Sequence, residues 1–264
     1  MAVFERLVKA AGAIALAVSF IGLGFAVCVL PATTHAVANG CSDDVTSPFT
    51  RSQLVRVADA TRDYAFGSHD QAALYRTIAD VDAEYLREIT AKGGHAGKGF
   101  PAVEGLPADA SIAQYAAAFS DASDQYCYPP EVIRHLDDCH AVALGAYGAL
   151  IVAALLAIAC LVFTGIRGTK RGLGTMLMAA GIAVLALFVL AGLWALVDFN
   201  GLFATFHMLF FSQGNWTFPA DSLLICALPT AFWMGMGSIW LAVTIAASIL
   251  CLGIGLLLRK KAKA

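Results

Sequence analysis

Two short stretches of this sequence carry residue types suited to acid–base chemistry beside a membrane. In the first, Glu131, His135, Asp138 and Cys139 follow at i, i+4, i+7 and i+8. That spacing places all four on one face of a helix. A carboxylate next to an imidazole fixes its tautomer and raises its basicity, which is what a general base requires. The spacing therefore predicts contact between Asp138 and His135, although a solvated helix end that happens to hold both residues has the same pattern. In the second stretch, Phe203, Phe206, Phe210 and Phe211 surround His207, and Trp216, Phe218 and Asp221 follow. A helix over 202–211 puts Phe203, His207, Phe210 and Phe211 on one face, lying in the acyl boundary of a bilayer. An ionisable side chain at that depth points to function. The plainer alternative is an interfacial anchor with histidine in place of tyrosine.

The elements that must position these residues are membrane spans. Of 264 residues, 59% are hydrophobic and only 14% charged, whereas soluble domains carry about a quarter charged. Mean hydropathy is +0.73. A net charge of −2 excludes a general nucleic-acid binder, which needs a strongly basic face. Uncharged apolar runs cover 10–30, 141–166, 172–197 and 222–258, each long enough to cross a hydrocarbon core of about 30 Å. The last is too long for one crossing. Pro229 and the run Met234-Gly235-Met236-Gly237 break it, so the predicted spans are 10–30, 141–166, 174–197 and 238–258. The expected fold class is all-α, a four-helix transmembrane bundle in which residues 1–264 form one integral membrane domain.

Lysine and arginine near span ends set the orientation, because cytoplasmic flanks are the positive ones. Arg6 and Lys9, then Arg167, Lys170 and Arg171, then Arg259, Lys260, Lys261 and Lys263 all fall on one side. Of 19 acidic residues, only Glu5 joins them. Both termini are expected in the cytoplasm, with 31–140 and 198–237 outside and the two histidines at the outer leaflet. A cleaved signal peptide is the rival reading of the N-terminus, with Thr34-His35-Ala36 as a processing site and Ala38-Asn39-Gly40-Cys41 as a faint lipobox. Signal h-regions run about 7 to 15 residues, shorter than the first run, so it is expected to be retained as a span.

The outer segment 31–140 reads as short helices. Thr50 and Gln53 form a capping box, and Leu54, Val57, Ala58, Thr61 and Ala65 follow helical spacing up to Gly67. A second helix fits 70–91 and ends at Gly93-Gly94; 92–107 is a Gly/Pro-rich loop; a third helix fits 110–119. Pro129-Pro130 then starts a helix that runs unbroken into the second span. Cys41, Cys127, Cys139 and Cys226 lie on the outer side, where disulfides persist, and four cysteines allow three pairings; a structural Cys41–Cys127 or Cys127–Cys139 bridge is one reading, and the sequence leaves the pairing open. Cys28, Cys160 and Cys251 fall within spans and read as small buried side chains. No Cys-x-x-Cys is present, which argues against a quinone-linked thiol oxidoreductase.

The string Phe206-His207-Met208-Leu209-Phe210-Phe211, then Trp216, Asp221, Leu223-Leu224, Pro229 and Phe232-Trp233, resembles the F-H-x-x-F-F…W…D-x-L-L…P-x-x-F-F signature of the lipoprotein intramolecular transacylase family. His135-Leu136-Asp137-Asp138-Cys139 is similar to the H-[ML]-x-D-V half of that signature, with Cys139 in the usual valine position. Four spans with a large first outer segment and a shorter second one also agree with the family.

The resemblance implies a membrane enzyme that moves the sn-2 acyl chain of a diacylglyceryl-cysteine lipoprotein onto the free α-amino group of the same cysteine. Donor and acceptor belong to one molecule, so the enzyme must deprotonate the amine, hold the two groups together and stabilise an oxyanion. On that reading His207 is the general base, His135 the proton donor or oxyanion stabiliser, and Asp138 the orienter of His135, with the two histidine roles exchangeable. Phe206, Phe210, Phe211 and Trp216 line an acyl-chain groove, and Asp221, Pro229 and Phe232 support it. Partners are diacylglyceryl-modified lipoproteins and membrane lipid. No cofactor or metal is expected, because His140 points about 140° away from His135 around the helix. The alternative from another class is a non-enzymatic assembly factor or sensor acting through 31–140.

Overall fold

The computed structural model describes residues 2–107, 109–211, 214 and 216–262; Lys263, counted above among the basic flanks, lies outside them. Its elements are α1 (Ala2–Cys28), α2 (Pro31–Cys41), α3 (Arg51–Phe66), α4 (Gln71–Ala91), α5 (Ile112–Phe119), α6 (Pro130–Arg167), α7 (Lys170–Val197), α8 (Phe199–Phe210), α9 (Leu223–Ala227) and α10 (Thr230–Lys261). No strand occurs among the described residues. Four helices, α1, α6, α7 and α10, are long and apolar enough to cross a membrane. In lipid every backbone amide must bond within its own segment, so an uncharged run of this length has to be helical.

The chain divides into two units. The first comprises Met1–Cys28, Leu144–Phe206 and Gly237–Ala264 and packs the four long helices around Leu16, Ala157, Cys160, Met176, Ala180 and Cys251. Its outward surface is apolar, with Ile151, Leu190, Leu196 and Leu257 exposed, as suits contact with lipid chains. Small residues bring helices together: a Cβ on Gly174 would lie 2.5 Å from the Gly255 carbonyl oxygen, and one on Gly255 would lie 2.7 Å from that of Gly174. Side chains also bridge helices to backbone, as where Trp240 Nε1 donates to the Ile21 carbonyl at 2.8 Å. Such bonds and close approaches replace the hydrophobic drive that lipid cannot supply.

The second unit comprises Val29–Ala143 and His207–Met236. Its helices start where side-chain caps dictate. The Thr50–Gln53 capping box is present on α3, Asp70 caps α4, Ser111 forms a capping box with Gln114 on α5, and Ser222 caps α9. The buried face of α3 includes Leu54, Val57, Ala58, Thr61 and Ala65, as its periodicity predicts. Aromatic rings fill the middle, with Phe49 edge-on to Tyr85 and Phe100 edge-on to Tyr126.

The structure departs from the sequence reading in three places. Pro31 opens a separate helix, α2, in its first turn, where proline's missing N–H costs nothing. Pro229 ends the preceding segment, but α10 runs unbroken through Met234-Gly235-Met236-Gly237; glycine costs a helix only about 1 kcal/mol per residue, less than an unbonded amide costs in lipid. The disulfides that the sequence left open do not form. Cys41, Cys127, Cys139 and Cys226 are all free thiols, three of them directed at carbonyls of nearby residues: Cys41 Sγ at Val37, Cys127 Sγ at Ser123 and Cys226 Sγ at Ala220.

Candidate active site

Within the second unit, α6 presents His135 and the end of α8 presents His207. The two rings lie 6.4 Å apart, centroid to centroid, and 25° from parallel. Phe211 follows one turn after His207, its amide donating to the His207 carbonyl, and stands edge-on to His135 at 5.0 Å. Phe218 closes another side of His135 at 5.6 Å. Trp216 packs on His207 at 5.0 Å. His135 is buried, whereas His207 is only partly covered. The pair thus forms one deep and one accessible imidazole with an aromatic wall.

The polar groups around His135 are few. Its Nε2 faces the Cys139 thiol at 3.6 Å, and its Nδ1 is buried with no hydrogen-bond partner among the described residues. Asp138, half-buried one turn further along α6, acts on the ring through its charge. Asp137 turns to the opposite side, where it accepts from Tyr64 Oη at 2.5 Å and lies 3.5 Å from His69 Nε2. His140 follows it there and stacks on His69 at 4.0 Å. The back of α6 is thereby fastened to α3 and the turn after it.

The remaining site residues named from sequence are placed as follows. Asp221 accepts from Gln125 Nε2 at 2.6 Å, and the Leu223 amide donates to the Asp124 carbonyl at 2.8 Å; these bonds hold the 216–223 strand of chain under the start of α6. The Pro229 carbonyl accepts from the Phe232 amide at the start of α10, and Phe232 is buried. Phe211 belongs to the wall. Phe206 and Phe210 each keep close to half of their surface exposed. Sequence reasoning did not single out Phe218 or Cys139 as parts of the site. Phe218 stood in the aromatic series and Cys139 on the right helix face, but neither pattern states which ring or thiol reaches the imidazole.

Residues 123–233 match the family described as lipoprotein intramolecular transacylase Lit. The matched segment contains both histidines, Asp138, the aromatic wall and the Gln125–Asp221 bond. Over that segment the chain is similar to the Lit family. The fold points the same way. It is similar to the in meso structure of the membrane integral lipoprotein intramolecular transacylase Lit from Bacillus cereus, with a TM-score of 0.68 at 15% identity over 100% of this chain and 99% of that one. A second structure of the Bacillus cereus protein, with arginine replacing one histidine, gives a TM-score of 0.61 at 15% identity over 98% and 94% of the two chains. At this identity the likeness is one of fold. No curated protein matches the sequence. The Lit match covers α6 to the start of α10, while α1 to α5 are related to Lit through the fold.

Proposed function

We propose that this protein is a membrane-embedded intramolecular acyltransferase, which moves the sn-2 acyl chain of a diacylglyceryl-cysteine lipoprotein to the α-amino group of the same cysteine. The observation that carries the reading is the facing pair of His135 and His207, 6.4 Å apart, inside the segment that matches the Lit family. The two imidazoles are close enough for one bound substrate to meet both.

The accessible His207 takes the proton from the α-amine, and the amine nitrogen attacks the ester carbonyl. His135, held among Phe211 and Phe218, donates from its ring to the developing oxyanion; the ring nitrogen without a partner among the described residues supports that role, since an unpaired buried polar group is costly until a substrate completes its bonding. As the ester C–O bond breaks, the proton taken from nitrogen returns to the glyceryl oxygen. Asp138 orients and electrostatically supports His135. The chain supplies no nucleophile of its own, because donor and acceptor arrive on one molecule. The acyl chain lies against Phe206, Phe210, Phe211 and Trp216. By the distribution of basic residues the termini are cytoplasmic and this site works at the outer leaflet.

The test is mass spectrometry of the N-terminal lipopeptide of a reporter lipoprotein from cells with and without this protein. The expected product is an N-acyl, S-monoacylglyceryl cysteine found only when the protein is present. A diacylglyceryl cysteine with a free amine in both strains overturns the reading.

A further inference from the structure

At the basic end of the first unit, α1 and α7 line an open cavity of about 490 Å³. Its mouth is lined by Arg6, Lys9 and Arg171, with Thr169 beside them. The rest of its wall is lined by Ala10, Ala13, Gly172, Thr175, Met176 and Ala179. No carboxylate is among the lining residues; Glu5 lies in the first turn of α1 but does not face the cavity.

These cations stand where electrostatics disfavours them. Residues 6–13 of α1 run beside residues 169–179 of α7, so both helices start at this end and direct their positive dipole ends at the same mouth. Lys9 does not extend away from that field: a Cβ on Gly172, in the first turn of α7, would lie 3.8 Å from Lys9 Nζ. Thr169 Oγ1 already accepts from the Gly172 amide at 3.0 Å, so one neutral hydroxyl is the only acceptor this turn supplies from its own cap. A flank that merely set topology would let its lysine reach into water. Here cations, helix ends and a cavity converge on one point, and an anion completes it.

The lining also states what kind of anion. Basic at the mouth, the lining passes Thr175 and becomes apolar at Ala13, Met176 and Ala179, about one to two helical turns further along, in the same order as a phospholipid's headgroup and acyl chain. The mouth lies where the uncharged run of α7 begins at Gly172, the depth of lipid phosphates. We infer that this cavity binds an anionic phospholipid, with its phosphodiester among Arg6, Lys9 and Arg171 and an acyl chain along Ala10, Ala13 and Ala179. Basic pockets between spans are a recognised site type for such headgroups. This inference stands independently of the acyl-transfer reading, because its residues are remote from the histidine pair in sequence and its readout is lipid binding.

The experiment is thermal unfolding and native mass spectrometry of the full chain in detergent, with phosphatidylglycerol, phosphatidylcholine or inorganic phosphate added. Phosphatidylglycerol is expected to raise the Tm and to survive as a bound adduct, with affinity falling as salt is raised. Lys9→Gln combined with Arg171→Gln should weaken binding roughly 30-fold, the worth of two basic contacts at a membrane surface. Ala13→Phe leaves every cation in place and fills the apolar strip; it should also weaken the lipid, and it serves as the test if the double variant does not fold. Equal stabilisation by phosphatidylcholine, competition by inorganic phosphate at matching concentration, or unchanged lipid binding by Ala13→Phe would each overturn the inference.

Discussion

His135 and His207 face one another at 6.4 Å with their planes 25° from parallel, although one comes from α6 and the other from the end of α8. An interfacial anchor at position 207 needs only an amphipathic ring, so His207→Tyr or His207→Phe would preserve it. A base needs a lone pair with a pKa near neutrality. His207→Phe and His207→Tyr are therefore both expected to lower lyso-lipoprotein formation by about 10² to 10⁴-fold while the protein still inserts. Full retention of product by His207→Phe in the reporter strain would remove the residue from the mechanism.

Asp138 and Asp137 are adjacent, yet only Asp138 is placed to act on His135, since Asp137 bonds Tyr64. Asp138→Asn should reduce the rate by less than loss of a histidine does, because it removes charge and keeps size. Asp137→Asn should weaken folding stability in detergent with little change in the rate per folded molecule. Comparing rate and melting temperature for the two variants checks the division.

Cys139 touches the His135 imidazole through its thiol at 3.6 Å. A small permeant maleimide that alkylates Cys139 would push bulk against that ring, so treatment should abolish activity of the wild-type chain. Cys139→Val should stay active and resist the reagent. Equal inactivation of both proteins would assign the sensitivity to another cysteine.

Orientation is tested at Lys92, which follows the last turn of α4. Lys92→Cys should react with an impermeant thiol reagent in intact cells, above the labelling of the wild-type cysteines. Labelling that appears only after lysis would reverse the topology.

Asp82 on α4 is fully buried, and neither of its carboxyl oxygens has a hydrogen-bond partner among the described residues. Burial pushes its pKa up from 3.8 to about 9. The unfolded chain loses this proton near pH 4 while the folded chain keeps it, so the folded state binds more protons between about pH 4 and about pH 9 and loses stability as pH rises through that window. The melting temperature in detergent should fall between pH 5 and pH 8. Asp82→Asn, which cannot ionise, should flatten that slope and melt higher than the wild type at pH 8. An unchanged slope would place the pH dependence elsewhere.

Much of the architecture was legible in the sequence because it follows from local rules. Uncharged runs such as 141–166 must be helical in lipid, where no water can satisfy an open amide. Thr50 with Gln53, and Asp70 at the head of α4, fix helix starts within a few residues of chain, so pattern alone finds them. The two catalytic candidates were also visible as residue types, since an imidazole amid phenylalanines is an unusual expense for an anchor. The tertiary structure decided what depends on distant partners. The Gln125–Asp221 bond and the Leu223 amide on the Asp124 carbonyl bring the chain after α8 to the head of α6, and no periodicity encodes that meeting. Tyr64 and His69 choose Asp137 for the back of α6 and so leave Asp138 for the front. Cys41, Cys127, Cys139 and Cys226 permit three pairings on paper, but three of their thiols are directed at nearby backbone carbonyls and one at His135. Sequence sets which side chains are available on each helix face, because helical geometry is local; packing sets which faces meet, because that choice balances contacts across the whole chain.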